Sequence, residues 1–220
     1  MKKIAIGILS LTVFAASCAD PAADKTRATV TNSASSTTNT QSASAPAKPA
    51  TKGEALPLTA ENSKVEFTGS KVTGKHDGGF KAFTGTIDLV GGKPEDSSVY
   101  VDIDMNSIFS DDDKLTGHLK SKDFFEVEKY PKATFASTKI AADAAKGAGN
   151  FTVTGDFNLH GQTKTISFPA RIAVTDADVA VDSEFAINRK DFGIVYAGKA
   201  DDLIRDDVVI RLNLKSQRKK

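Results

Sequence analysis

Histidine and cysteine, which often perform catalysis or bind metals, are few and widely spaced in this 220-residue chain. Its three histidines, His76, His118 and His160, lie far apart and form no HxH or HExxH pattern. The single cysteine, Cys18, excludes a CxxC redox or zinc motif and an intrachain disulfide. No GxSxG nucleophile motif and no glycine-rich phosphate loop is present. The sequence therefore predicts a protein that is not an enzyme, with no catalytic residues and no metal site.

The charge balance excludes one class of partner. Lys and Arg number 29 and Asp and Glu number 28, which gives a formal net charge of +1. A protein whose main task is to bind nucleic acid normally carries a basic excess. We therefore expect no nucleic-acid partner, and the hydrophobic fraction of 40% is sufficient for a buried core.

The first residues predict an exported lipoprotein. Two lysines precede an apolar run, and the small residues Ala15–Ser17 lead to Cys18, as in a secretory signal peptide. The placement of Cys18 resembles the bacterial lipobox, in which the cysteine is lipidated, although Ala15 stands where that pattern prefers Leu. We predict a signal peptide over 1–17 and a palmitate-type anchor on Cys18. Ala19 rather than Asp follows the cysteine, which favours the periplasmic side of the outer membrane. The alternative is an ordinary signal peptide that leaves a free thiol.

Residues 18–55 differ sharply in composition from the remainder of the chain. Most of them are Ser, Thr, Ala, Asn and Pro, and none is aromatic. Such a segment cannot bury enough apolar area to offset its chain entropy. We predict a disordered tether over 18–55, followed by a folded domain over 56–216.

The domain consists mainly of strands, because its apolar residues alternate with polar ones. Ladders of this kind are centred on Val65–Phe67, Phe83–Leu89, Val99–Met105, Ala133–Ile140, Phe151–Leu159, Ile166–Val174, Val179–Ile187 and Val208–Leu214. One region, 110–125, instead predicts one or two short helices, with Ser110 as the N-cap and Asp111–Asp113 at the positive end of the dipole. The fold class predicted is all-β, an antiparallel barrel or a sandwich with the helices at one end.

Four segments in order resemble one family. They are HDGGFKAFTGTIDL at 76–89, HLKSKDFFEVEKYPKATFAST at 118–138, VTGDFNLHGQTKTISFPARI at 153–172 and NRKDFGI at 188–194. Together they resemble the YceI-like polyisoprenoid-binding proteins. The resemblance implies a lipocalin-like antiparallel eight-stranded β-barrel, export, and an isoprenoid chain held in the barrel. It departs at Lys71, where many members carry a His, and at His76, which is predicted to lie in a separate HDGG turn.

The inward ladders predict an uncharged lining. The predicted lining comprises Phe67, Phe83, Ile87, Val101, Ile103, Phe135, Phe151, Val153, Phe157, Phe168, Phe185 and Ile210, with Phe124 and Phe125 at the helical lid. A hydrocarbon chain is the natural guest of such a lining. The alternative is that the phenylalanines simply pack against each other as core.

Arg189 has two interpretations. It either meets a lipid head group at the barrel mouth or makes a structural contact with Asp191 or Glu184. The leading functional hypothesis is binding, storage or transport of an apolar lipid of the isoprenoid quinone class, without a cofactor. The alternatives are an enzyme acting on an apolar isoprenoid and a structural or stress-related protein with no ligand, and a homodimer stays open.

Overall fold

Alternating apolar and polar residues form long antiparallel strands. The computed structural model describes residues 19–33 and 45–218. The strands are β1 (Thr29–Asn32), β2 (Glu54–Thr59), β3 (Lys64–Lys71), β4 (Gly74–Phe80), β5 (Phe83–Leu89), β6 (Ser98–Asp104), β7 (Ile108–Ser110), β8 (Lys132–Ala142), β9 (Asn150–Leu159), β10 (Gln162–Val174), β11 (Asp178–Asn188), β12 (Gly198–Lys199), β13 (Asp202–Leu203) and β14 (Asp207–Gln217). One α-helix, α1, spans Asp113–Lys120, and 3₁₀ turns cover Pro94–Asp96, Met105–Ser107, Ala144–Lys146 and Arg189–Phe192.

The sheet of the described residues closes on itself. Six of the shorter strands join end to end into three long strands, because β2 continues into β3, β4 into β5 and β6 into β7, each through a bend. The long strand β2–β3 pairs with β5 and β4, and the long strand β4–β5 pairs in turn with β7 and β6. The order then runs from β6 through β8, β9, β10 and β11 to β14. Since β14 pairs with β3, the first and last long strands meet. The predicted lipocalin-like antiparallel barrel of eight long strands is confirmed.

The predicted turn at the HDGG sequence is wrong, because these residues belong to β4. Gly78 lies opposite Phe67 in the register. A Cβ atom on Gly78 would lie 2.5 Å from the Phe67 ring and 2.4 Å from the carbonyl oxygen of Phe109. The glycine therefore serves a close approach of ring and backbone within a strand rather than a chain reversal.

The barrel has two distinct ends. The helical end carries α1, the β3–β4 hairpin turn at Val72–Thr73 and the segment 189–206 that contains β12 and β13. The turn end carries the short connections before β6, β9 and β11. The N-cap of α1 is Asp112, whose carboxylate accepts a hydrogen bond from the amide of Leu115, and not Ser110 as predicted. Ser110 instead bonds the backbone of Asp112.

Residues 20–33, here called the strap, form part of the barrel wall. β1 pairs antiparallel with β10 over Lys164–Ser167. Just before it, the amide of Ala28 donates to the carbonyl oxygen of Ala186, and the amide of Ala186 donates to that of Thr26. The predicted disordered tether is therefore wrong over the strap, because its backbone groups find partners on two barrel strands. Residues 1–18 and 34–44 lie outside the described residues, so the signal peptide, the anchor at Cys18 and that part of the tether stay predictions.

The strap fills a gap that Pro169 opens in the wall. β10 pairs with β11 only over Arg171–Val174. The carbonyl oxygen of Pro169 accepts a hydrogen bond from the Ser183 hydroxyl of β11, so the backbone nitrogen of Pro169 faces β11 as well. A proline nitrogen has no hydrogen to donate, and pairing between the two strands ends there.

Candidate functional site

An elongated cavity lies along the axis of the barrel. Its volume is about 220 Å³, and its lining extends from Pro94 and Ser97 at the turn end to Ser70 and Arg205 at the helical end. A single water needs only about 10–15 Å³ on a comparable measure, so the space is far larger than a packing defect. The walls between the two ends are almost entirely hydrocarbon, contributed by the inward residues of all the long strands.

The structure places most of the predicted lining residues on this cavity. The predicted residues that line it are Phe67, Ile87, Val101, Ile103, Phe124, Phe125, Phe135, Val153, Phe157, Phe168, Phe185 and Ile210. Phe83 and Phe151 are buried but do not line it. Phe83 pairs with Ile103 near the end of its strand, and Phe151 borders a separate small hollow beside Pro169. Alternation along a strand gives the direction of a side chain, but not whether it borders the cavity or packs among other core residues.

Several lining residues were missed although they lie on the same ladders. These are chiefly Ile166, Ile172, Val181, Leu212 and Leu214. Their inward direction follows from the same period-two pattern, which was applied mainly to the aromatic residues. The alternation of apolar and polar residues was therefore sufficient to predict these five as lining residues.

The aromatic rings pack against the wall and against each other without filling the barrel. Phe168 and Phe185 stack with their ring centroids 4.3 Å apart, and Phe135 lies 5.6 Å from Phe168. The ring of Phe135 also covers Gly155, where a Cβ atom would lie 2.5 Å from it. Both predicted outcomes therefore occur together, since the rings form core contacts and a cavity persists beside them.

Arg189 makes a structural contact. Its side chain is buried, and its nitrogens donate to the carbonyl oxygens of Ile194 at 2.7 Å and Arg205 at 3.1 Å. Its carboxylate partner is Asp206 at 3.3 Å, and not Asp191 or Glu184 as predicted. Burial lowers the pKa of Arg189, and the Asp206 charge opposes this shift. The guanidinium therefore holds the segment 189–206 across the helical end.

Among the cavity-lining residues that the structure describes, two buried side-chain polar atoms at the helical end lack hydrogen-bond partners. They are the hydroxyl oxygen of Ser70 and Nε of Arg205, and both residues contribute to the cavity lining. The two residues are adjacent, because the amide of Arg205 donates to the carbonyl oxygen of Ser70. Sequence reasoning missed them because neither belongs to an apolar ladder.

The histidines lie apart from one another, on three different elements. His76 lies on β4 with Nδ1 2.8 Å from an Asp111 carboxylate oxygen, and His118 lies on α1 with Nε2 2.9 Å from Asp123. His160 occupies the β9–β10 hairpin turn, where its Nδ1 lies 3.2 Å from the carbonyl oxygen of Phe192. Within residues 19–33 and 45–218, no three His, Cys, Asp or Glu side chains are grouped as metal ligands.

Those same residues include no helix with the length and hydrophobicity of a membrane span.

Comparison with known proteins identifies the domain. The family model described as a YceI-like domain matches residues 57–216. A UPF0312 protein of Pseudomonas putida is 33% identical over 139 residues, which cover 60% of this chain and 71% of that protein. One of Pseudomonas syringae pv. tomato is 34% identical over 137 residues, covering 60% and 70%.

Solved structures show the same fold. The crystal structure of BcnA from Burkholderia cenocepacia matches with a TM-score of 0.64 and 25% identity, covering 72% of this chain and 99% of that one. A polyisoprenoid binding domain from Saccharophagus degradans, implicated in plant cell wall breakdown, matches with a TM-score of 0.59 and 20% identity. That match covers 76% of this chain and 100% of the other.

Proposed function

The chain belongs to the YceI-like domain family, and on that premise we propose that it binds a polyisoprenoid or similar apolar lipid inside its barrel. The observation that carries the proposal is the elongated hydrocarbon-lined cavity along the barrel axis. The Saccharophagus degradans domain of the same fold is described as polyisoprenoid binding, which supports the ligand class. We propose an isoprenoid of the quinone class, sequestered or carried by the domain.

Burial of hydrocarbon supplies the binding free energy. Each methylene removed from water contributes about 0.8 kcal/mol, so an oily chain of several isoprene units can bind tightly after the losses from ordering. A mainly hydrocarbon wall gives little discrimination between one chain and another. Any selectivity for a head group has to arise near the ends of the cavity, where polar residues lie.

The test uses two substitutions on neighbouring residues of β9. Val153 lines the cavity and is buried, whereas Thr152 is exposed on the outer face. We expect Val153→Phe to reduce uptake of an added isoprenoid quinone, because the larger ring occupies the space of the guest. Thr152→Phe adds a ring outside the barrel and is expected to leave uptake unchanged.

The measurement is native mass spectrometry combined with organic extraction of the protein purified from its own host. A co-purified lipid that Val153→Phe loses and Thr152→Phe retains is the expected result. Absence of any lipid from the wild-type protein, together with no uptake of added quinone, refutes the proposal.

We propose binding without catalysis. The cavity lining within the described segments includes one carboxylate residue, Glu66, and two arginines, Arg189 and Arg205. Glu66 lies between Val65 and Phe67 on β3, so strand alternation directs its side chain away from the lumen when these two apolar neighbours face inward. Arg189 is engaged by carbonyl oxygens. No acid–base pair faces the bound chain in this arrangement.

We further propose that the chain is exported and anchored through lipidated Cys18 at the periplasmic side of the envelope, at the outer membrane. The support is the signal-peptide pattern of 1–17 and the position of the only cysteine directly after it. Radiolabelled palmitate should enter the wild-type protein and not Cys18→Ser. Equal labelling of the two forms contradicts the anchor.

A further inference from the structure

Exposed apolar side chains are concentrated at the helical end. Among the described residues, the large hydrophobic side chains that are clearly exposed are Val72, Val195 and Leu203, at 55%, 65% and 49% exposure. Val72 is in the β3–β4 turn, Val195 follows the 3₁₀ turn at 189–192, and Leu203 is in β13. The amide of Val72 donates to the carbonyl oxygen of Leu203, so at least these two loops are in contact.

The strap begins at this same end. A carboxylate oxygen of Asp20 lies 3.3 Å from Nη1 of Arg205, a residue that lines the cavity. Ala22 is buried against Ala186 and Val209, on the outer face of β11 and β14. Cys18 precedes Asp20 by two residues, and two residues of extended chain span at most about 7 Å. A lipid on Cys18 would therefore be attached only two residues before Asp20, the first residue of the strap.

We propose that the helical end of the barrel docks on the lipid bilayer, and that the strap holds it there through acylated Cys18. This inference rests on the anchor proposed above. A lipoprotein with a long flexible tether would leave its domain free to rotate. Here the tether is only Ala19, because the chain is bound to the barrel from Asp20 onwards.

Several contacts hold the strap on the barrel. While they persist, the lipid anchor proposed at Cys18 stays near the helical end. Arg27 forms an ion pair with Asp207, and Lys25 lies 3.1 Å from Glu184. The backbone of the strap pairs with both β10 and β11. Exposed ion pairs contribute little singly, but here they supplement strand pairing and the burial of Ala22 and Ala28.

Docking in this orientation places the cavity next to the membrane. Ile204 and Arg205 line the cavity and belong to the same segment as Leu203. An apolar chain exchanged at this end would pass between bilayer and cavity at the segment 189–206 and not through open water. The three exposed side chains then enter the lipid interface, where apolar area is favoured.

The test measures which end of the barrel meets the bilayer. Val195→Cys and Lys93→Cys place a thiol at the helical and the turn end respectively, in the mature lipidated protein, where acylation blocks the thiol of Cys18. Each is labelled with the fluorophore NBD and incorporated into vesicles of phosphatidylethanolamine and phosphatidylglycerol. We expect a blue shift and loss of iodide quenching for the label at 195, and no change for the label at 93.

A linker variant provides the matched control. Insertion of ten Gly/Ser residues between Ala19 and Asp20 keeps the acylated cysteine but frees the barrel, and the shielding of the label at 195 should then fall. Equal shielding at 195 and 93 in the parent protein overturns the proposal. Shielding at 195 in detergent-free solution without vesicles, accompanied by dimer formation, also overturns it, since a second copy then covers the surface.

Two measurements separate this proposal from those on which it depends. Failure of the protein to float with vesicles overturns the orientation together with the anchor. Uptake of an isoprenoid quinone by the same protein is measured independently and tests the binding function. A protein that binds quinone and floats, but exposes both labels to iodide, refutes the orientation alone.

Discussion

The two sides of β10 show two ways of building one barrel wall. On one side β9 pairs with it continuously over Gln162–Arg171. On the other side β11 pairs with it over only Arg171–Val174, and the strap fills the rest of the gap. These two strand junctions are here called the continuous seam, between β9 and β10, and the split seam, between β10 and β11. The continuous seam lies within the family domain at 57–216, whereas the split seam also needs strap residues outside that domain.

The difference shows that a barrel can remain closed with one seam only partly paired. An unpaired strand edge exposes amide and carbonyl groups that attract another strand. In this chain the covering strand comes from its own N-terminal segment. The continuous seam is built by strands of the family domain alone, and the split seam needs a segment from outside that domain.

The largest expected effect concerns β9, the strand that forms the continuous seam with β10, at the point where β9 packs against β8. A Cβ atom at Gly155 would lie 2.5 Å from the carbonyl oxygen of Ala136 and 2.5 Å from the Phe135 ring. We expect Gly155→Ala to lower the free energy of unfolding by about 3 kcal/mol, since overpacked backbone has no room to relax. Urea unfolding followed by circular dichroism measures this.

Gly69→Ala is the control, because a Cβ atom at Gly69 meets nothing within 4 Å. A similar loss of stability in both variants would mean that glycine flexibility, and not close packing, distinguishes Gly155. The displaced Phe135 ring should also reduce quinone uptake in Gly155→Ala.

A smaller effect is expected at the split seam. Ala28 is 5% exposed within the core, and a carboxylate there would be buried without a partner. We expect Ala28→Asp to lower the stability of the folded protein by about 2 kcal/mol, because burial of an unpaired carboxylate is unfavourable. The loss cannot exceed the free energy needed to detach the strap from a barrel that stays folded. Faster tryptic cleavage after Lys25 and Arg27 should report that detachment.

Thr29→Asp is the matched control, because Thr29 is exposed on β1. If Ala28→Asp unfolds the whole barrel in one step without early cleavage in the strap, the strap is an integral part of the wall and the contrast between the two seams fails.

The smallest expected effect lies at a third seam, where β3 meets β4 and β14. The hydroxyl of Thr68 donates to the Asp77 carboxylate at 2.5 Å and Arg211 donates at 3.1 Å, and these bonds lower the pKa of Asp77 below 3.8. A lowered pKa in the folded state gives stability that is present above pH 3.8 and is lost as the pH falls through the folded-state value.

Thermal unfolding between pH 7 and pH 2 measures this contribution. Asp77→Asn should have a lower Tm than wild type at pH 7, and the difference should shrink below pH 3.8. A difference that is constant across this range would assign the effect to hydrogen bonding alone and not to the charge.

Local pattern was sufficient for most of the barrel. Alternation predicted the long strands and the direction of residues such as Val101 and Val153. It did not reveal β4, because the glycines of HDGG are typical of turns, and their role depends on Phe67 and Phe109. Those contacts become visible only once the neighbouring strands are placed.

The strap could not be predicted from composition for a related reason. Its buried residues are small, chiefly Ala22 and Ala28, and its polar groups are paired by distant strands. Likewise, the partners of Arg189 are mostly backbone carbonyl oxygens, which leave no trace in the pattern of residue types. The role of each was set by tertiary contacts and not by the local pattern of residue types.

The pairing of β1 with β10 also constrains the order of folding. Thr31 bonds to Thr165 across 134 residues of chain, and its strand has no place to bind until β10 and β11 have formed. Contacts of such long sequence separation form slowly, because a large loop must first close. The segment that is synthesised ahead of the barrel therefore has to be the last to take its position.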